Sequence, residues 1–198
     1  LWKLFNKYNL QYAGSGKSKW HSEILSLAER YMQETNEWRF LEFFKEWNPI
    51  NLMNEDWEEV KKDEHTYKSL SIKCLKKSYE IIKTQNNETY KTDWLIETYN
   101  IAISKFPKDD WVKREKALLL IRNNELNQAI EIYKELVLSL GDKAYIWSEF
   151  STCFDSNKDL KLGMLSKAIQ LEKNEDFLGD IHLELAQTLI ENNLLENA

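Results

Sequence analysis

Glycine, proline, cysteine and histidine are scarce in this chain. Its 198 residues include five Gly, two Pro, two Cys and three His. Tight turns draw mainly on Gly and Pro, so a many-stranded sandwich or barrel would need more of both, whereas long helices need few. Cys74 and Cys153 are too far apart in sequence to indicate a disulfide framework or a metal-binding spacing. We therefore expect an all-α protein with free core thiols, in a reducing, cytoplasmic setting.

Long apolar runs and an excess of positive charge are also missing. The longest conspicuous apolar run, 117–121, is far shorter than the ~20 residues of a membrane-spanning helix. The formal net charge is −6, which lowers the expectation of nucleic-acid binding because that binding depends on Lys and Arg contacts to phosphates. The chain is rich in apolar side chains, at 42%, and in aromatic ones, at 13%, so a core built from large rings is expected.

The C-terminal two thirds of the chain repeat with a period near 34 residues. When Ala117 is aligned with Ala186, two periods later, the Leu, Ile, Asn-Asn and Leu residues that follow coincide as well. Between them, the segment 147–154 reads W-x2-F-S-x2-F, close to the pattern W-x2-L-G-x2-Y, and Ala129 and Tyr133 supply the A-x3-F-like pattern of a second helix. Gly163 follows Ala129 by one period and is expected at a close helix contact. These residues resemble the tetratricopeptide repeat, which implies an α-α superhelix.

The repeat period predicts the domain layout. Repeat units at 67–107, 110–141, 144–174 and 178–198, the last truncated, make a repeat region of 63–198, while 1–62 form an N-terminal helical segment that caps the solenoid. Asp109 and Asp142 are expected to cap the helices that follow them. Because the chain starts without Met and stops inside a unit, we expect the native protein to be longer.

The N-terminal segment is unusually aromatic. We predict helices at 1–12, 22–33 and 37–47, then an irregular link over 51–63. The third helix holds Trp38, Phe40, Phe43, Phe44 and Trp47. We expect these rings to be core residues, since buried aromatics carry much of the apolar area of a small protein. The alternative is an exposed aromatic groove for a peptide or for stacked bases.

Five segments support a second, narrower resemblance. They are His21–Leu25, Arg39–Trp47, Asn54–Trp57, Ser69–Leu75 and Phe177–Ala186. They resemble an uncharacterised bacterial helical family associated with TOTE-type conflict systems. This resemblance implies a bacterial, defence-linked protein in which the helical region precedes a small cold-shock-like β-barrel domain that contacts nucleic acid.

No segment carries a catalytic or metal-binding motif. Gly14–Ser18 ends like a phosphate-binding loop, but the first Gly of GxxxxGK[ST] would fall at Gln11, and a helix rather than a strand precedes it. His21, His65 and His182 have no zinc-ligand spacing; we expect His65 to be solvated and His182 to be structural. We predict no enzyme activity, no metal and no cofactor.

The tetratricopeptide resemblance implies a ligand-binding concave face lined by first-helix residues. Carried over one by one, these residues are Trp111, Arg114, Leu118, Arg122, Tyr145, Ser148 and Thr152. Members of that family that clamp a peptide carboxylate pair Lys or Arg with Asn. No Asn stands at Leu118 or Thr152, so a carboxylate clamp is not expected.

Two functional hypotheses follow. The first is a non-catalytic protein–protein interaction scaffold that holds a protein or peptide partner through Arg and aromatic contacts. The second is an accessory helical module of a nucleic-acid-associated protein, and it draws on the family resemblance and on a basic stripe at Lys73, Lys76, Lys77 and Lys83. The simpler interpretation of that stripe is a solvated helix face.

Overall fold

The fold is almost entirely helical, as predicted. A computed structural model describes residues 1–35, 38–84 and 91–192, and within them the chain forms ten α-helices and one short antiparallel hairpin. The elements are α1 Trp2–Tyr12, α2 Lys19–Thr35, α3 Arg39–Trp47, β1 Val60–Lys62, β2 His65–Tyr67, α4 Leu70–Thr84, α5 Asp93–Lys105, α6 Asp110–Arg122, α7 Leu126–Leu140, α8 Ala144–Ser151, α9 Lys158–Leu171 and α10 Glu175–Glu191.

The chain divides into two compact units, unit 1 at Leu1–Lys108 and unit 2 at Asp109–Ala198. The boundary predicted from the repeat period, between residues 62 and 63, falls inside unit 1. The reason is that α4 packs against α2 and α3 as well as against α5. Trp94 of α5 also meets Phe44 of α3 edge to face, with ring centroids 5.7 Å apart. The helices that looked like a first repeat thus share a core with the N-terminal helices.

The aromatic residues of α3 form the centre of unit 1. Phe40, Phe43, Phe44 and Trp47 are completely buried, so the expectation of core rings is confirmed for them. Each such ring contributes about 1.5–3 kcal/mol by leaving water. Trp38 lies outside the helix and is exposed, because it occupies the N-cap position rather than the buried face.

The segment that follows α3 is more ordered than a link. Asn48, with φ of 65°, ends the helix just before Pro49, as predicted. The predicted irregular stretch 51–63 instead holds a short 3-10 turn at Glu55–Trp57 and strand β1. β1 pairs with β2 from Val60 opposite Tyr67 to Lys62 opposite His65.

Unit 2 consists of α6 to α10, and a side-chain cap begins α6, α9 and α10. Asp109 caps α6, because its carboxylate accepts hydrogen bonds from the amides of Trp111 and Val112, at 3.0 and 3.2 Å. The expected cap at Asp142 is wrong: Lys143 occupies that position before α8, and Asp142 instead accepts a hydrogen bond from the Lys143 ammonium. Helix α10 begins at Glu175, earlier than the predicted 178, because Asn174 caps it.

The repeat pattern explains most of the packing in unit 2. Ala117 and Ala129, the small residues of α6 and α7, are fully buried where the two helices meet. Gly163 departs from this pattern, because it is exposed and a Cβ there would meet nothing within 4 Å. The buried small residue of α9 is Ala168, which lies with Leu165 in the core shared with α10. The expectation of a close contact at Gly163 is therefore wrong.

Candidate functional site

The predicted binding residues come together in unit 2, on the first helices α6 and α8. Trp111 lies in the first turn of α6 and Tyr145 in the first turn of α8. Their rings lie nearly parallel, with an interplanar angle of 17° and centroids 6.1 Å apart. Trp111 is 53% exposed, whereas Tyr145 is half-buried. With Arg114, which contacts both rings, they make a surface that we call the ring face.

Arg114 lies against both rings of the ring face. Its guanidinium carbon is 5.0 Å from the Trp111 centroid and 4.7 Å from the Tyr145 centroid, within the range of cation–π attraction. The same guanidinium donates to Glu149 on α8, from Nε at 2.8 Å and from a terminal nitrogen to the other carboxylate oxygen. This two-point geometry is the strong form of an Arg–carboxylate pair.

The ion pair is sheltered inside the repeat. The side chains of Arg114 and Glu149 are only 18% and 19% exposed. Glu149 also accepts a hydrogen bond from the Tyr133 hydroxyl of α7 at 3.2 Å. Burial of that hydroxyl, and then the carboxylate beside it, raise the pKa of Tyr133 far above its usual value. Arg114 was predicted to contact a partner, but its charge is directed at Glu149 within unit 2.

The other predicted residues lie on the same two helices or directly after α8, and all of them are half-buried. Leu118 and Arg122 continue along α6 and are both half-buried. Ser148 is half-buried on α8, and Thr152 donates its hydroxyl to the backbone carbonyl of Glu149 at 2.7 Å. The ring face therefore offers exposed aromatic surface and few free donors.

Sequence reasoning missed Glu149 and Tyr133. Glu149 follows Arg114 by 35 residues, one repeat plus one position, so the two residues fall on neighbouring first helices. An arginine followed one repeat later by a carboxylate is the signal that could have indicated this pair.

The basic stripe on α4 is partly neutralised. The ammonium of Lys77 lies 3.2 Å from Glu80, and that of Lys76 lies 4.0 Å from it. Both pairs join residues three or four positions apart on an exposed helix face, where such pairs add only a few tenths of a kcal/mol. The stripe thus behaves as the solvated face that the sequence favoured.

Unit 1 contains a polar cluster around His21 that the sequence did not indicate. His21 is buried and stacks on Trp47, with ring centroids 4.2 Å apart and an angle of 11°. Its Nδ1 lies 3.0 Å from the Tyr8 hydroxyl and its Nε2 lies 3.3 Å from the Trp47 carbonyl. Burial lowers the pKa of His21, although the Trp47 carbonyl and Asp56 oppose that shift. We interpret the cluster as a structural junction, because every polar group in it faces another group of unit 1.

The other motifs and residues that the sequence singled out form no catalytic or metal-binding arrangement with the residues that the structure describes. Gly14–Ser18 follows helix α1, so its surroundings differ from those of a phosphate-binding loop. His65 is exposed, as expected, and His182, which was expected to be structural, is exposed on α10. Burial raises the pKa of Cys74, and it raises that of Cys153 to about 11, so both thiols are unreactive near neutral pH. Within the part of the chain that the structure describes, no three His, Cys, Asp or Glu side chains cluster as metal ligands.

Among the described helices, none combines the length and the apolar character needed to cross a bilayer.

Comparison with known proteins supports the fold. A family model described as a domain of unknown function (DUF7017) matches residues 110–198, the stretch that holds the ring face. No curated protein matches the chain significantly. Among solved structures, the chain is similar to "MamA RS-1 ArsTM double mutant", with a TM-score of 0.60 and 12% identity over 89% of this chain and 88% of that chain. MamA is a tetratricopeptide-like helical repeat protein, and at this identity the likeness establishes the fold alone.

Proposed function

We propose that this chain is a non-catalytic interaction scaffold that binds a peptide segment of a partner protein on the ring face. The observation that carries the proposal is the Trp111–Tyr145 pair: an indole that is 53% exposed, held parallel to a second ring. Large exposed aromatics that are already fixed in place lose little conformational entropy on binding and are enriched among the residues that dominate interface energies.

The chemistry of the ring face favours an apolar contact over a charged one. Arg114 would be the obvious group for a partner carboxylate, but Glu149 already holds it at two points. A partner that drew Arg114 away would leave the half-buried Glu149 without its counter-charge, at substantial cost. We therefore expect an apolar side chain of the partner to pack against Trp111.

Fewer features of the structure support the nucleic-acid hypothesis. Binding to phosphates requires several cations directed at solvent, yet on the ring face Arg114 is paired with Glu149, and on the basic stripe Lys77 is paired with Glu80. Stacked rings can hold bases, so single-stranded RNA serves as a competing ligand in the test.

The test compares Trp111→Ala with Leu138→Ala, a residue of unit 2 that is 89% exposed on α7. Peptides selected from a displayed random library against the full chain are titrated by fluorescence anisotropy. We expect Trp111→Ala to weaken binding about tenfold or more, as for an interface hot spot, and Leu138→Ala to leave it unchanged. Equal effects of the two variants, or salt-sensitive RNA binding lost in Trp111→Ala without any peptide binding, would refute the proposal.

A further inference from the structure

A second surface, in unit 1, has a different chemistry from the ring face. Helices α1 and α2 enclose an apolar groove of about 530 Å³. Its walls include Leu4, Phe5, Tyr8, Ile24, Leu27 and Arg30. We call it the N-terminal groove. The two leucines of the groove are exposed to solvent, Leu4 by 66% and Leu27 by 48%.

The apolar character continues beyond the groove along α2. Trp20, Ile24, Leu27 and Tyr31 recur at intervals of four, three and four, which places them on one face of the helix. Trp20, at the start of that row, is 79% exposed. Single exposed apolar residues are common on proteins, but a continuous row beside a groove indicates an interaction site.

The groove is preformed rather than a gap left by loose packing. Phe5 on its floor is buried, and its ring centroid lies 5.3 Å from those of Trp2 and Phe43. The Tyr8 hydroxyl is held 3.0 Å from Nδ1 of the buried His21. A rigid floor and wall reduce the ordering cost of binding.

The segment that carries α1 has a charge opposite to that of the whole chain. Residues 1–22 contain four lysines and no acidic residue, although the chain has a net charge of −6. Arg30 is exposed and lines the groove itself, and Lys7 is exposed on α1, one helical turn after Leu4 of the groove wall. Glu23, the first carboxylate in the sequence, lines a separate cavity with Asp56 and Glu58.

We propose that the N-terminal groove binds an acidic amphipathic helix of a partner protein. Leucine-sized anchors on one face of that helix would enter the groove between α1 and α2, as a helix ridge enters a helical groove. Carboxylates on its flanks would face Arg30 and Lys7. A lipid surface fits less well, because the apolar surface is concave and a flat bilayer cannot fill it.

The probes are two synthetic helical peptides with the same row of leucines, one flanked by Glu and the other by Lys, titrated against the full chain by fluorescence anisotropy. We expect the Glu peptide to bind and the Lys peptide to bind at least about tenfold more weakly. Raising the salt from about 0.1 M to about 1 M, which shortens the screening length from about 10 Å to about 3 Å, should reduce this difference. Leu4→Asp should weaken the Glu peptide about tenfold and leave binding to the ring face unchanged.

A charge reversal with a matched control tests whether the cations at the groove select the acidic peptide. Lys7→Glu/Arg30→Glu should favour the Lys peptide instead, whereas Lys61→Glu/Lys62→Glu makes the same change in net charge on exposed strand β1 and should leave the preference intact. Equal binding of both peptides, no binding of either, or equal effects of the two double variants would overturn the proposal. So would Leu4-dependent binding to vesicles rich in phosphatidylserine without peptide binding, or self-association that Leu4→Asp abolishes.

Discussion

The pairing of Arg114 with Glu149 makes a quantitative prediction about stability. An exposed ion pair contributes about 0–1 kcal/mol, whereas removing one partner of a fully buried pair costs about 3–5 kcal/mol. With side chains 18% and 19% exposed and a two-point contact, this pair lies between those limits. We expect Arg114→Met to lower the free energy of unfolding by about 2 kcal/mol, since among the described residues it leaves Glu149 with the Tyr133 hydroxyl as its remaining side-chain partner.

The assay is urea denaturation followed by both circular dichroism and tryptophan fluorescence, because coincident transitions are needed before a single free energy is assigned. Glu149→Gln and the double variant complete a cycle, in which we expect a coupling of about 1–2 kcal/mol between the two positions. Lys134→Met, which breaks the exposed pair with Glu131 on α7, is the control and should cost less than about 0.5 kcal/mol.

If Arg114→Met cost no more than Lys134→Met, the inference that Glu149 holds Arg114 would fail. The arginine would then be free to meet a partner carboxylate, and the apolar character of the ring face would lose its main argument. The same result determines whether Arg114 can be mutated to test binding on the ring face. Arg114→Glu would place a second carboxylate beside Glu149, so a loss of binding could reflect unfolding rather than a lost contact.

Two further predictions concern single residues. Asp109→Ala should destabilise the protein by about 1 kcal/mol because it removes the α6 cap, while Lys143→Ala, at a cap position without a side-chain bond, should change stability little in the same urea titration. The lowered pKa of His21 means that the unfolded chain binds its proton first, so the stability that it contributes is complete above about pH 6.5 and declines as the pH falls towards its folded-state pKa. Urea titrations across that interval should show a weaker dependence in His21→Gln and an unchanged one in His65→Gln; an unchanged dependence in His21→Gln would contradict the buried, neutral imidazole.

The sequence predicted much of what depends on local pattern, although the expected cap at Asp142 was wrong. The cap at Asp109, the end of α3 at Asn48 and the buried rings of α3 follow from a few neighbouring residues, and the helical-repeat fold follows from the 34-residue period. The unit boundary after Lys108 could not be read in this way, because it depends on which helices share a core.

The ring face shows the same division between local and tertiary information. The resemblance placed Trp111 and Tyr145 on one surface, and their rings do stack. It did not show what Arg114 contacts, because Glu149 stands on the next repeat and its distance depends on how α6 and α8 pack. A repeat pattern therefore predicts which positions share a face, whereas the chemistry of that face depends on pairs between repeats.

The cations of unit 2 bear on the kind of partner that the ring face can select. Lys113 of α6 pairs with Glu135 of α7, and Lys161 of α9 lies 3.0 Å from Glu184 of α10, so these charges, like that of Arg114, connect one helix to another. A cation used in this way contributes to helix packing, and where both partners are sheltered, as in Arg114–Glu149, it is costly to redirect towards a ligand. Selection by charge is then expected at the N-terminal groove, where Arg30 and Lys7 are exposed, and selection by shape and apolar contact at the ring face. Charge-reversing variants should therefore distinguish the two surfaces. At the groove they should change the affinity for a charged peptide while the protein stays folded, whereas at the ring face reversing Arg114 would also destabilise the fold.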